Sequence, residues 1–189
     1  MGIKNQSVTQ GRTTLLDAVN VLLANIGEQP INSLETEQID ESKQAERTIL
    51  EFHKEGQTKG WSWNTEFQYP FQKDSITKEI TVPENILQFA LDPYLYAGRY
   101  QLRGQRIYDL QERRYIMEEI VNEIKADVIW LLPWDDVPEA YNRWVTIRAS
   151  RVFTARVLGS DALFKYTSKD ELDALIVLER VEQQQEVPN

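Results

Sequence analysis

The apolar residues of this chain change their period twice, and that change restricts the fold more than any other feature. From Leu15 to Ile26 they recur at three- and four-residue steps. From Trp63 to Leu91 they alternate, and from Tyr141 onward they return to three and four. Two helices, a strand-rich middle and two further helices follow. Each helical pair offers one apolar stripe, so the economical arrangement packs the pairs on each other. The expected fold is α+β, a helical bundle built from N- and C-terminal helix pairs with a β-rich inserted middle region. A discontinuous helical body is expected over 12–60 and 136–185, the insert over 61–135, and flexible termini at 1–11 and 186–189.

Local signals set the boundaries. Thr14 caps the first helix with Asp17 in its first turn, and Gly27 and Pro30 stop it. The second helix, Glu37 to Gln57, carries Ile39, Ala45, Ile49 and Phe52 on a narrow stripe diluted by Ser42 and Thr48. Its Glu51 stands four residues from Arg47 and four from Glu55, so the support is mixed. In the third helix Asp136 is the expected cap and Pro138 and Glu139 fill the first turn. Tyr141, Trp144, Val145, Arg148, Val152, Ala155 and Leu158 then recur up to Gly159. The last helix begins at Ser168 with Glu171 as its box partner, and Leu172, Leu175, Ile176, Leu178 and Val181 line it. In the middle, Ile76, Ile80 and Val82 read as extended and Tyr100–Asp109 as a hairpin turning near Gly104. The run Ala126–Leu132 is the expected central strand. Residues 112–125 fit helix or strand, and context favours strand.

A search for chemistry finds little. The chain has no cysteine, which excludes a disulfide framework, a zinc–thiolate site and a thiol nucleophile. No signal peptide or membrane span is expected. The single histidine, His53, reads as a surface group with no nucleophile or metal-ligand partner at helical spacing. Asp135–Asp136 and Glu118–Glu119 are carboxylate pairs of the type a glycoside hydrolase uses, with Trp130 and Trp134 as sugar platforms. Neighbours in sequence, however, rarely face each other across a substrate. Gly98 and Gly104 lack the spacing of a phosphate-binding loop. Neither catalysis nor a cofactor is expected.

The net charge of −9 argues against a protein that grips nucleic acid through its phosphates. Between Glu35 and Glu55 seven acids oppose three Lys/Arg, and over 168–189 six oppose two. Glu46, Glu51 and Glu55 are the candidate acidic face. The one basic stretch interleaves arginine with tyrosine. Within it, Tyr94, Tyr96, Arg99, Tyr100, Arg103 and Arg106 form the candidate partner interface, because both residue types are enriched where proteins meet. Nucleic-acid contact and a solvated hairpin are the other readings of that stretch.

Several segments in fixed order carry a family resemblance. Ala18-Val19-Asn20 leads to Ile26-Gly27-Glu28-Gln29-Pro30, and Gly60-Trp61-Ser62-Trp63-Asn64 follows the second helix. Next come Arg103-Gly104 with Tyr108-Asp109, then Pro138-Glu139, Ala149-Ser150-Arg151 and Gly159. Together they resemble the tail tubular protein A family, the tail adaptors of short-tailed phages. The resemblance runs from Leu15 to Ser160. From Pro70 to Asp92 it holds by pattern only, and beyond Ser160 by helical character and acidity. It implies a structural virion protein with no active site, in a closed ring of about twelve copies. The ring joins the portal vertex to the tail nozzle and lets DNA pass during ejection. The implied partners are sister copies, the portal protein, the nozzle (tail tubular protein B) and a tail fibre protein. DNA would cross without specific binding. The implied location is the virion tail, after assembly in the host cytoplasm. On this reading the acidic face lines the channel, where it repels phosphate. The alternatives are a glycan hydrolase acting on host envelope polysaccharide and a nucleic-acid-binding module.

Overall fold

The structure, a computed structural model, describes residues 11–36, 39–117, 122–159 and 166–186. The expected helix start at Glu37, the Glu118–Glu119 pair, and the termini apart from Gly11 and Glu186 lie outside the described residues. In chain order the elements are α1 (Leu15–Asn25), α2 (Asp40–Gln57), β1 (Thr65–Gln72), β2 (Ile86–Leu91), the one-turn α3 (Pro93–Tyr96), β3 (Tyr100–Arg103), β4 (Arg106–Asp109), β5 (Glu123–Trp130), a 3-10 turn (Trp134–Asp136), α4 (Glu139–Leu158) and α5 (Ser168–Glu186). This is the expected α+β class, with helices at both ends and strands between. The chain divides into two compact units, Met1–Gly56 with Pro133–Asn189, and Gln57–Leu132.

In the helical unit α1 forms as its cap signals require. Thr14 and Asp17 exchange side-chain and backbone hydrogen bonds, and Ala18, Val19, Leu22 and Leu23 are buried. Gly27 stops the helix at φ +84°, a conformation glycine adopts without strain. Asn20 then holds the chain beyond Pro30, since its side chain donates to the Ile31 carbonyl and accepts from the Ile31 N–H, both at 2.9 Å. The polar residues on the inward side of α2 are buried because they bond within their own helix. Ser42 donates to the Ile39 carbonyl and Thr48 to that of Gln44, each at 2.8 Å.

The expected single stripe on α4 is corrected. Tyr141, Asn142, Trp144, Val145, Thr146, Ile147, Ala149, Ser150, Phe153 and Thr154 are all buried, so most of its circumference is covered. The C-terminal part of the expected stripe is not the core: Val152 and Ala155 are half-buried and Leu158 is exposed. The expected cap is also corrected. Asp136 lies in the 3-10 turn, and Pro138 occupies the cap position with no side-chain bond. Glu139 turns its carboxylate to Thr13 instead, accepting from the N–H at 2.8 Å and the hydroxyl at 2.5 Å. Trp134 Nε1 donates to the Thr13 carbonyl at 2.8 Å, so the segment before α1 is strapped to the start of α4. At α5 the reciprocal exchange is made by Thr167 and Asp170. Glu171 instead receives Arg151.

The insert holds a three-stranded antiparallel sheet in the order β1-β5-β2 and the hairpin β3-β4. The expected central strand is central. Its core is Phe71, Ile80, Val82, Tyr100, Ile107, Met117, Ile124, Ala126 and Val128. Two expectations fail locally. Phe67 is 76% exposed although Tyr69 and Phe71 share its parity. A bulge between Glu66 and Tyr69, with Gln68 at φ +54°, inserts one residue and reverses the facing. Ile76 sits in a turn rather than a strand, because the Asp74 carboxylate accepts from the N–H groups of Ile76 and Thr77 at 2.8 and 2.7 Å. Of residues 112–125, Glu123–Lys125 are strand, and Arg114 makes an isolated bridge to Asp109.

The two chain crossings at the base of the insert are clasped by amides. Gln57 donates to the Leu132 carbonyl at 3.0 Å and accepts from its N–H at 2.9 Å. Buried Asn64 donates to the carbonyls of Gln57 and Trp130 at 3.1 and 2.8 Å and accepts from the Trp61 N–H at 2.8 Å. The Gly60-to-Asn64 motif is therefore a structural clasp. A methyl group on Gly60 would lie 2.9 Å from Ile129 Cδ1, at a backbone φ of +74°.

Gly56 tests the helical packing. A methyl group there would lie 2.6 Å from both the Trp144 ring and the Tyr141 hydroxyl. Gly56→Ala is expected to destabilise the protein by about 1–3 kcal/mol in urea unfolding. Gly11→Ala, with nothing within 4 Å of the added carbon, should leave the midpoint unchanged.

Candidate assembly interface

The arginine–tyrosine stretch is built outward from one buried carboxylate. Asp109, at 2% exposure, ends β4. It accepts from the N–H groups of Gln111 and Glu112 at 2.9 and 3.1 Å. Arg99 donates to it through Nε at 2.8 Å and sits with Nη2 at 2.7 Å. Burial pushes the Asp109 carboxyl up, but the Arg99 guanidinium and the two N–H groups outweigh it and hold the carboxyl below the usual range. The same contact raises Arg99.

Just upstream, Asp92 caps α3 by accepting from Tyr94 and Leu95, and Ala97 ends the turn in the left-handed region. This leaves Tyr94 at 96% and Leu95 at 60% exposure. Tyr96 turns inward, and its hydroxyl accepts the Lys125 N–H at 2.7 Å just past the end of the β2 pairing. A groove of about 580 Å³ results, lined by Leu95, Tyr96, Arg99, Tyr100, Glu123 and Lys125 among others.

The six expected interface residues therefore divide. Tyr94 stands free in solvent, and Arg103 is exposed with its guanidinium 3.9 Å from the Tyr108 ring centroid. Tyr96 and Arg99 line the groove while serving the fold. Tyr100 is 9% exposed and belongs to the core. Arg106 is held by Glu79 at 3.2 Å and by the Tyr115 ring at 4.1 Å. Sequence reasoning missed Leu95, although its place between two tyrosines after an Asp-Pro cap marks it as exposed.

The acidic candidates are compensated across helices rather than along α2. Glu51 accepts from Arg156 at 3.0 Å and Glu55 from Arg148 at 2.8 Å, whereas Arg47 was the expected partner. The Arg156 bond lowers the Glu51 carboxyl. Arg148 also lies 4.9 Å over the Phe52 ring and 3.9 Å from Glu171. Glu46 is half-buried on the same helix.

The residues considered for chemistry have other positions. His53 is not a surface group: at 4% exposure it follows Ile49 by one turn and packs between Trp134 and Tyr141, with ring centroids at 5.4 and 5.7 Å. Its carbonyl accepts the Tyr141 hydroxyl at 2.6 Å, and burial pushes that phenol far up, so it stays a neutral donor. Trp134 is buried, and Trp130 meets Tyr69 edge-on at 5.2 Å inside the insert. Neither offers a free face to a sugar. Asp135 and Asp136 are exposed on the 3-10 turn. Among the described residues no group of three or more His, Asp or Glu could hold a metal ion, and no helix is long and apolar enough to cross a membrane.

An exposed aromatic turn and ion-paired helix surfaces have the character of a protein that meets other proteins. The chain belongs to the tail tubular protein family, whose pattern matches residues 16–188. It is a structural component of a phage tail. No curated protein matches the chain significantly.

Asp109 gives the insert a pH dependence. Its carboxyl is lowered in the folded state, so its contribution is complete above the unfolded value near about pH 4 and is lost as pH falls through the folded value. Asp109→Asn should cost about 2 kcal/mol at neutral pH in urea unfolding and flatten the acid limb of the stability profile.

Proposed function

We propose that this chain is the subunit of a tail adaptor ring that joins the portal vertex to the tail nozzle and lets DNA pass during ejection. The family match across residues 16–188 carries this reading. Two surfaces support it. The exposed Tyr94–Leu95 turn, with Arg103 nearby on the insert, has the aromatic and arginine character of protein contacts. The helical unit carries most of the negative charge, with residues 1–56 and 133–189 together holding 19 acids and 12 Lys/Arg. The ring reading includes about twelve copies, contacts to portal, nozzle and tail fibre, location in the virion tail, and assembly in the host cytoplasm.

Within that reading Glu51 and Glu55 face the channel; Glu46, nine residues before Glu55 and so about 180° away around α2, does not share that face. Arg156 and Arg148 fix the carboxylates of Glu51 and Glu55 in place, so the wall is ordered and only weakly charged. DNA then meets paired arginines rather than a free basic patch.

Imaging of the purified chain mixed with portal protein tests the main claim. A ring capping the portal is expected, and portal left bare at saturating chain would contradict it. For the channel, particles carrying Glu51→Lys with Glu55→Lys should eject DNA more slowly than wild type. A melting curve of the variant would separate this from the loss of the Arg156 and Arg148 pairs. Ejection at the wild-type rate by stably folded variant particles would remove these acids from the channel wall.

A further inference from the structure

The last helix is apolar on two opposite sides. At about 100° per residue, Ala174 and Leu178 share one face of α5 and Leu172 and Ile176 the other. The first pair is 9% and 0% exposed, and the second pair is 55% and 45% exposed. Sequence periodicity had placed Leu172, Ile176 and Leu178 on one lining face. The inward pair packs in the helical unit, whereas the outward pair forms a ridge four residues apart with no cover among the described residues. A helix apolar on both sides has a second partner in its working state.

The same unit carries a matching recess. On α4, Val152 and Ala155 form the floor of a groove of about 320 Å³ with Arg151 and Arg156 at its rim. Residues 140–158 hold four arginines and no acid, while α5 holds six acids and two basic residues. Two α5 helices meeting about a two-fold axis would bring like charges together. An α5 meeting this α4 groove brings opposite charges together. Arg151 and Arg156 are held by Glu171 and Glu51 of their own chain, yet their side chains are still 31% and 43% exposed. Each guanidinium has five N–H donors, enough to serve a second carboxylate.

We propose that the Leu172–Ile176 ridge of one copy seats in the Val152–Ala155 groove of a second copy. The contact is heterologous, and repeated by rotation it closes a ring. A four-residue ridge entering a groove between neighbouring turns is an ordinary way for helices to pack. The proposal rests on the ring reading above and adds the surfaces that make the ring.

The chain contains no cysteine, so introduced thiols report contacts without background. Leu172→Cys and Ala155→Cys are made in separate full-length chains, mixed, assembled on portal and oxidised. A disulfide-linked dimer is expected from the mixture and not from either variant alone. A Leu172→Cys self-dimer would show a two-fold contact and overturn the inference. Imaged rings without a cross-link in the mixture would also overturn it, assigning the ridge to portal or nozzle while leaving the ring reading intact. Bare portal would end both. As a second measure, Leu172→Ser with Ile176→Ser should keep the wild-type melting temperature and reduce ring occupancy at least about tenfold. Undiminished occupancy would contradict the proposal.

Discussion

The burial of α4 on most of its sides is the constraint on which the helical unit depends. A twenty-residue helix placed this way must admit its neighbours closely and pairs only part of its polar groups, since Asn142 Oδ1, Trp144 Nε1 and Ser150 Oγ are buried with no partner among the described residues. Thr146 donates back to the Asn142 carbonyl at 2.7 Å, and Asn142 donates to the Trp134 carbonyl at 3.0 Å. Gly56 allows α2 to press on the Trp144 and Tyr141 rings, and the Tyr141 hydroxyl closes that contact on the His53 backbone. Thr13 strapped by Glu139 and Glu171 held by Arg151 tie the flanking segments to the same helix. With α4 covered by α1, α2 and the inner side of α5, the outer side of α5 stays exposed among the described residues of its unit.

What could be read in the sequence follows from how local each signal is. The start and stop of α1 depend on Thr14, Asp17 and Gly27 acting within a few residues, and they were legible. So was β5, whose apolar run buries Ala126 and Val128 on one face of its sheet and Ile129 on the other. The start of α4 was not, because Glu139 fits a capping box equally well and only the fold reveals that Thr13, 126 residues earlier, takes its carboxylate. His53 looked wet because charged residues flank it, although it continues the spacing of Ala45 and Ile49. Phe67 kept the parity of a buried position, and one bulge residue held by Asp127 at 2.9 Å reversed it. The arginine–tyrosine stretch showed itself by composition, but composition could not separate Tyr100, which is core, from Tyr94, which is solvent-facing.

Motif residues and the exposed apolar residues are different sets. Asn20, Gly60, Asn64, Ala149 and Ser150, which carried the family resemblance, are intrachain clasps and close contacts. Tyr94, Leu95, Leu172 and Ile176 are among the residues with exposed apolar or aromatic area, and none of the four belongs to those motifs. The first set holds the fold, and the second is the surface proposed for neighbours. The compensated acids of α2 belong to neither, and their arginine partners give the helical unit an ordered, weakly charged face.

The account's central claim is that the helical unit is complete around α4 and incomplete on the outside of α5. Hydrogen exchange of the free chain and of the assembled ring measures this directly. The α4 amides should be the slowest to exchange in both states, and the α5 amides should gain strong protection only on assembly. Protection of α5 equal to that of α4 in the free chain, unchanged on assembly, would contradict the account.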